Sequence, residues 1–69
     1  METITLKVKG MTCQGCVKSV RTVLEKIEGV GHVDVSLEKG EASIEYDPIR
    51  TNDEALRAAI EGAGYEVAT

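Results

Sequence analysis

Aromatic residues and long apolar runs are what this chain lacks. Trp and Phe are absent, and Tyr46 and Tyr65 are the only aromatics among 69 residues. Val, Ile, Leu and Ala must therefore fill the interior, and so small an aliphatic core leaves no room for a large substrate cavity. No stretch approaches the roughly 18 consecutive apolar residues of a membrane span. The first ten residues alternate polar and apolar where a signal peptide would carry an unbroken apolar segment. The expectations are no direct membrane insertion and a cytoplasmic location, where thiols stay reduced. Positive charge is also short: eight Lys and Arg stand against twelve Asp and Glu, a net charge of −4. A chain acidic overall, with no basic stripe interleaved with aromatics, is not built for nucleic acid.

The spread of that charge is uneven. Residues 1–27 carry five basic and two acidic side chains (+3), and residues 28–69 carry three basic and ten acidic ones (−7). The basic part contains the only two cysteines, within Gly10-Met11-Thr12-Cys13-Gln14-Gly15-Cys16. Two thiols two residues apart can turn toward one point if the backbone between them bends, and Gly15 is expected to supply that bend. Cys16 falls at or just inside the start of a helical pattern, where free N–H groups and the helix dipole favour thiolate over thiol. The loop reads as a metal-thiolate site.

On either side of it the pattern is regular. Ile4, Leu6 and Val8 alternate with Thr3, Thr5, Lys7 and Lys9, a half-buried strand. Val17, Val20, Val23, Leu24 and Ile27 recur at helical spacing, and Gly29 is expected to stop that helix. Two further alternating runs, Val33 to Leu37 and Ala42 to Tyr46, are joined across Glu38-Lys39-Gly40 as a hairpin. Asp47-Pro48 ends the third strand. Thr51 and Glu54 have the spacing of a capping box for a second helix, striped by Ala55, Leu56, Ala59, Ile60 and Ala63. Gly62 and Gly64 end it, and Tyr65-Glu66-Val67 suffices for a short edge strand. The order strand, helix, strand, strand, helix, strand with short joints predicts one two-layer α+β domain over residues 1–69. Successive reversals place the hairpin tip and Gly64-Tyr65 at the cysteine end, with His32 and Pro48 at the other, so the only histidine is not expected to be a ligand.

These residues carry a family resemblance. The GMTCQGC loop after the first strand, Glu28-Gly29-Val30, Tyr46-Asp47-Pro48 and Gly64-Tyr65 together resemble the heavy-metal-associated domain, found in small soluble copper chaperones and at the N-termini of copper-transporting P-type ATPases. The resemblance spans about Thr3 to Val67. It implies a ferredoxin-like βαββαβ sandwich, a four-stranded antiparallel sheet with both helices on one face, and metal binding by Cys13 and Cys16. It further implies that Met11 points into the core and that Tyr65 stands near the site, with Thr12 and Gly15 completing the loop around the thiols. Some soluble members carry histidine immediately before the second cysteine. This chain has Gly15 there, so no neighbouring imidazole can join the thiolates.

Thiolate chemistry narrows the ion. Structural zinc takes four protein ligands, which a monomer with two cysteines and a distant histidine cannot supply, whereas soft Cu(I) accepts two sulfurs. The expected function is non-enzymatic: a Cu(I) chaperone that passes its ion to the soluble metal-binding domain of a copper-transporting P-type ATPase. Lys18 and Arg21 are expected to dock an acidic partner. The apo form is expected to be a monomer, with a copper-bridged dimer as the alternative on loading. Competing readings are a mercury-binding protein of the same fold, against which the lack of a signal peptide argues; an excised ATPase domain, against which a chain starting at Met1 argues; and a thiol-disulfide oxidoreductase. The last is disfavoured because Thr12 stands where that motif has an aromatic and Gln14-Gly15 lacks its proline.

Overall fold

The computed structural model describes residues 1–68. Six elements follow in the expected order: β1 (Glu2–Lys9), α1 (Gln14–Glu25), β2 (Val30–Ser36), β3 (Glu41–Tyr46), α2 (Asp53–Gly62) and β4 (Glu66–Val67). The strands form one antiparallel sheet in the order β2-β3-β1-β4, which places β1 and β3 at its centre. Period-two alternation decides which face each residue takes. Leu6, Val8, Val33, Ala42, Ile44 and Tyr46 turn to the face covered by Val20 and Leu24 of α1 and by Leu56 and Ile60 of α2, and all are buried. Ile44 is the hub, flanked in register by Ile4 on β1 and Val33 on β2. The opposite face is polar: Thr5 Oγ1 meets Ser43 Oγ at 3.1 Å and Lys7 pairs with Glu41 at 3.5 Å.

Two helix boundaries differ from the sequence reading. α1 ends at Glu25 with Lys26 as its cap, ahead of Gly29. The Ile27 side chain is half-buried against the core, and Gly29, at φ +100°, shapes the turn into β2, where its carbonyl accepts the Asp47 N–H at 2.7 Å. Any Cβ on Gly29 would lie 2.7 Å from that of Arg50, so both conformation and space require glycine there. At α2 the cap is Asn52, whose Oδ1 accepts the Ala55 N–H at 2.9 Å, and not Thr51. Thr51 belongs to the preceding turn, its N–H bonded to the Asp47 carbonyl and its body buried beside Gly29. The Thr51–Glu54 capping box is therefore not formed. Ala55, expected in the α2 stripe, is exposed.

The predicted division into two ends holds. The hairpin folds over β1, with the Val8 N–H bonded to the Gly40 carbonyl at 2.8 Å, at the end where β1 enters the cysteine loop. α2 ends in a Schellman arrangement: the Gly64 N–H returns to the Glu61 carbonyl at 3.0 Å and the Tyr65 N–H to the Ile60 carbonyl at 3.3 Å, with Gly64 at φ +97°. That reversal sets the Tyr65 ring 3.8 Å from where a Gly10 side chain would begin. His32 lies across from Glu45 near the start of β2, toward the other end.

Candidate metal site

The loop between β1 and α1 is shaped by a glycine, an anchor and a cap. Gly10 takes φ +89° and turns the chain out of β1. Met11 then drops its side chain into the core, where it is 6% exposed and packs with the buried cluster, as the resemblance implied. Thr12 is exposed. Cys13 has the extended backbone of an N-cap (φ −146°, ψ 167°), and its sulfur accepts the Cys16 N–H at 3.3 Å. Its carbonyl accepts the N–H groups of Cys16 and Val17 at 3.1 and 3.2 Å.

The bend that brings the thiols together is thus the ordinary entry into a helix, and Gly15 does not supply it. Gly15 lies within α1 and is not among the glycines with positive φ. A Cβ at that position would make only ordinary van der Waals contact with Cys13 Sγ, at 3.8 Å, so neither conformation nor space requires glycine there. Cys16 is the third residue of α1, just inside its start as the pattern required, while Cys13 is the cap itself and not a loop residue.

The two sulfurs converge to 2.7 Å, with Cys13 exposed and Cys16 half-buried. The Cys16 thiol is pulled down to about 7, below the ordinary thiol range. The hydrogen bond with Cys13 is the largest cause, followed by the Tyr65 hydroxyl and the Thr12 backbone N–H, and slight burial opposes them. The Tyr65 hydroxyl is pushed up in turn, chiefly because it keeps the proton it donates to the Cys16 sulfur. Both cysteines are free, and no first-turn acid in α1 competes for the helix N-terminus.

The remaining residues singled out by sequence divide. Thr12, Gly15 and Tyr65 lie beside the thiols, whereas the Met11 side chain is turned into the core. Lys18 is exposed one turn beyond Gly15 and lines the shallow surface depressions on either side of it. Arg21 is directed elsewhere: its Nη2 donates to the Val33 carbonyl on β2 at 3.4 Å. Among the described residues no group of three or more His, Cys, Asp or Glu side chains converges, so no further such ligand closes a shell around the sulfurs. Sequence reasoning missed the capping role of Cys13 and the turn at Gly10, although a glycine directly after a strand was the available signal. It also missed Ser19, whose hydroxyl donates to the Gly15 carbonyl at 3.0 Å and tempers the rise of the Tyr65 phenol. A lone serine on an exposed helical face gives no signal of this.

The heavy-metal-associated domain profile matches residues 5–66. The copper chaperone CopZ of Bacillus subtilis is 43% identical over 68 residues, 99% of each chain. The periplasmic component of the mercuric transport system of Salmonella typhi is 45% identical over 64 residues, covering 93% of this chain and 70% of the relative. The solved structure of a CopZ metallochaperone superposes with a TM-score of 0.95 at 37% identity, over 97% of this chain and 100% of the other. These relatives are metal carriers and metal-binding domains, and copper and mercury proteins stand about equally near. A matched profile across nearly the whole length, on a sheet with two thiols at the first helix start, places this chain in the heavy-metal-associated domain family.

Proposed function

We propose that the chain is a Cu(I) carrier that holds one ion between Cys13 and Cys16 and delivers it, in the cytoplasm, to the soluble metal-binding domain of a copper-transporting P-type ATPase. The observation that carries this reading is a pair of convergent thiols at a helix N-terminus, one already biased toward thiolate, with no further Cys, His, Asp or Glu gathered beside them among the described residues. Two soft sulfurs suit a monovalent soft ion of low coordination and leave zinc two ligands short. Sulfurs 2.7 Å apart must separate to admit an ion. Cys13, at the cap, is the more exposed of the two and the one an incoming thiolate can reach, while Cys16 lies half-buried in the first turn of α1.

Transfer uses the same inequality. An incoming partner thiolate reaches copper from the side of Cys13 and makes a three-sulfur intermediate, from which the Cys13–copper bond breaks; a second thiolate of the partner then binds copper as the Cys16–copper bond breaks, copper remaining Cu(I) and at least two-coordinate throughout. No substrate is turned over. Lys18, exposed beside the loop, steers an acidic partner surface to this end. Arg21 contributes positive charge to the same helix, but its guanidinium is engaged on β2.

Anaerobic Cu(I) loading followed by native mass spectrometry tests the reading: one copper per monomer is expected, and a protein that retains none, or takes copper only as a bridged dimer, overturns it. The 45% identity to a mercuric transport protein favours a second reading, Hg(II) carriage through the same thiols. Transfer assays separate the two, since a copper carrier passes Cu(I) to a P-type ATPase domain faster than Cu(I) leaves it spontaneously.

A further inference from the structure

β2 is an edge strand, and among the described residues the outward row of its backbone groups has no neighbouring strand. Exposed edges of this kind invite pairing with another chain. Because Arg21, which lies outside the sheet, donates to the Val33 carbonyl, that carbonyl points away from β3. In an antiparallel ladder the N–H and C=O of one residue face the same side, so the Val33 N–H points outward with it.

The sequence around that residue is complementary to itself. Antiparallel pairing of β2 with β2 of a second copy, centred on Val33, makes Val33 the central doubly hydrogen-bonded pair. It sets His32 opposite Asp34 of the second copy, and Asp34 opposite its His32. Both residues are exposed on the polar face of the sheet, so each copy offers one donor-bearing imidazole and one carboxylate at matching positions. Arg21 occupies the acceptor at the centre of that register, and Arg21 and Glu25 stand over Val30 to Val33 in the depression beside the strand.

We infer that β2 is a self-complementary pairing edge for a second copy of this chain, kept closed by the Arg21 guanidinium on the Val33 carbonyl. The two four-stranded sheets would join into one, with both cysteine loops left free, so the association is independent of metal. Arg21 is exposed, and its replacement leaves the core untouched.

The test is sedimentation equilibrium of reduced protein in chelator, over a concentration series up to about millimolar. R21A and R21M, the second keeping the apolar stem without a donor, are expected to shift from the 7.4 kDa monomer to twice that mass at concentrations at least tenfold below any self-association of the unsubstituted chain. R21A/H32D puts carboxylates opposite each other twice and is expected to return to monomer; R21A/H32D/D34H restores the complementary pairs and the dimer. R21A and R21M that both stay monomeric while their circular dichroism is unchanged overturn the guarding role. A dimer that survives in R21A/H32D overturns the register centred on Val33.

Discussion

The two helices begin in the same way and are finished differently. At both, the cap residue has φ −146° and its side chain accepts the N–H three residues on. At α2 the acceptor is the Asn52 oxygen at 2.9 Å, and Asp53 and Glu54 fill the first turn with negative charge. At α1 the acceptor is the Cys13 sulfur at 3.3 Å, and the first turn holds no acid. α2 has satisfied its dipole with permanent carboxylates; α1 has left its own to thiolates that appear on demand. A helix start satisfied by permanent charge and one left to titratable thiols thus stand at opposite ends of one small fold, and the second gives up part of the stabilisation that the first enjoys.

The sharpest way to break this comparison is to exchange the caps. C13N and C16S should each lower Cu(I) retention by orders of magnitude in competition with a chromophoric chelator, whereas H32A at the far end should change it less than twofold; an equal loss in H32A would refute the separation of ends. Next in size are the core positions both helices share. L24A and I44A, each fully buried, should lose roughly 2–5 kcal/mol in urea unfolding of the apo protein, and the unsubstituted apo protein should remain folded by circular dichroism. N52A should lose about 1 kcal/mol with copper binding unchanged, and C13N should make the apo protein more stable than the parent by several tenths of a kcal/mol, because a strong oxygen acceptor replaces a weak sulfur one.

The smallest expected effect lies in protonation. The Cys16 pKa is depressed in the folded state, so the stabilisation it brings is complete above the unfolded thiol value and is lost as pH falls through about 7. Thiolate absorbance titrated in C13A, which leaves Cys16 as the sole thiol and removes its largest hydrogen-bonding partner, should give a higher midpoint for Cys16 than in the parent. Q14E, which places a first-turn acid in α1 as in α2, should raise the Cys16 midpoint as well. Calorimetry of Cu(I) binding in buffers of different ionisation enthalpy should show more protons released below pH 7 than above it. Identical release at both would mean that Cys16 titrates elsewhere.

Most of this fold was legible in the residues. Strict alternation from Thr3 to Lys9 and from Ala42 to Tyr46, and helical spacing from Val17 to Leu24, each reflect a one-sided core and so survive any detail of the ends. The errors in element boundaries were all at helix ends, where one hydrogen bond decides. Thr51 and Asn52 are both good caps by type, and burial of Thr51 against Gly29 removed it from the choice. Gly29 looked like a helix stop because glycine serves both that purpose and the tight crossing by Arg50 that it serves here. At the candidate site, spacing singled out Cys13 and Cys16, and the resemblance added Met11 and Tyr65. The hidden part was the destination of the Arg21 side chain, because a helical pattern gives the face a long residue leaves from and not what its tip reaches.

Met11 bears on how the proposed carrier would work over many cycles. By mooring the loop in the interior it makes the shape around the thiols a property of the folded chain, present whether or not an ion is there. Release of cargo then has no conformational collapse to overcome, and recharging has no folding step to wait for. Such a carrier can load and unload at the pace of ligand exchange between sulfurs, with direction set only by which pair of thiols holds the ion more tightly.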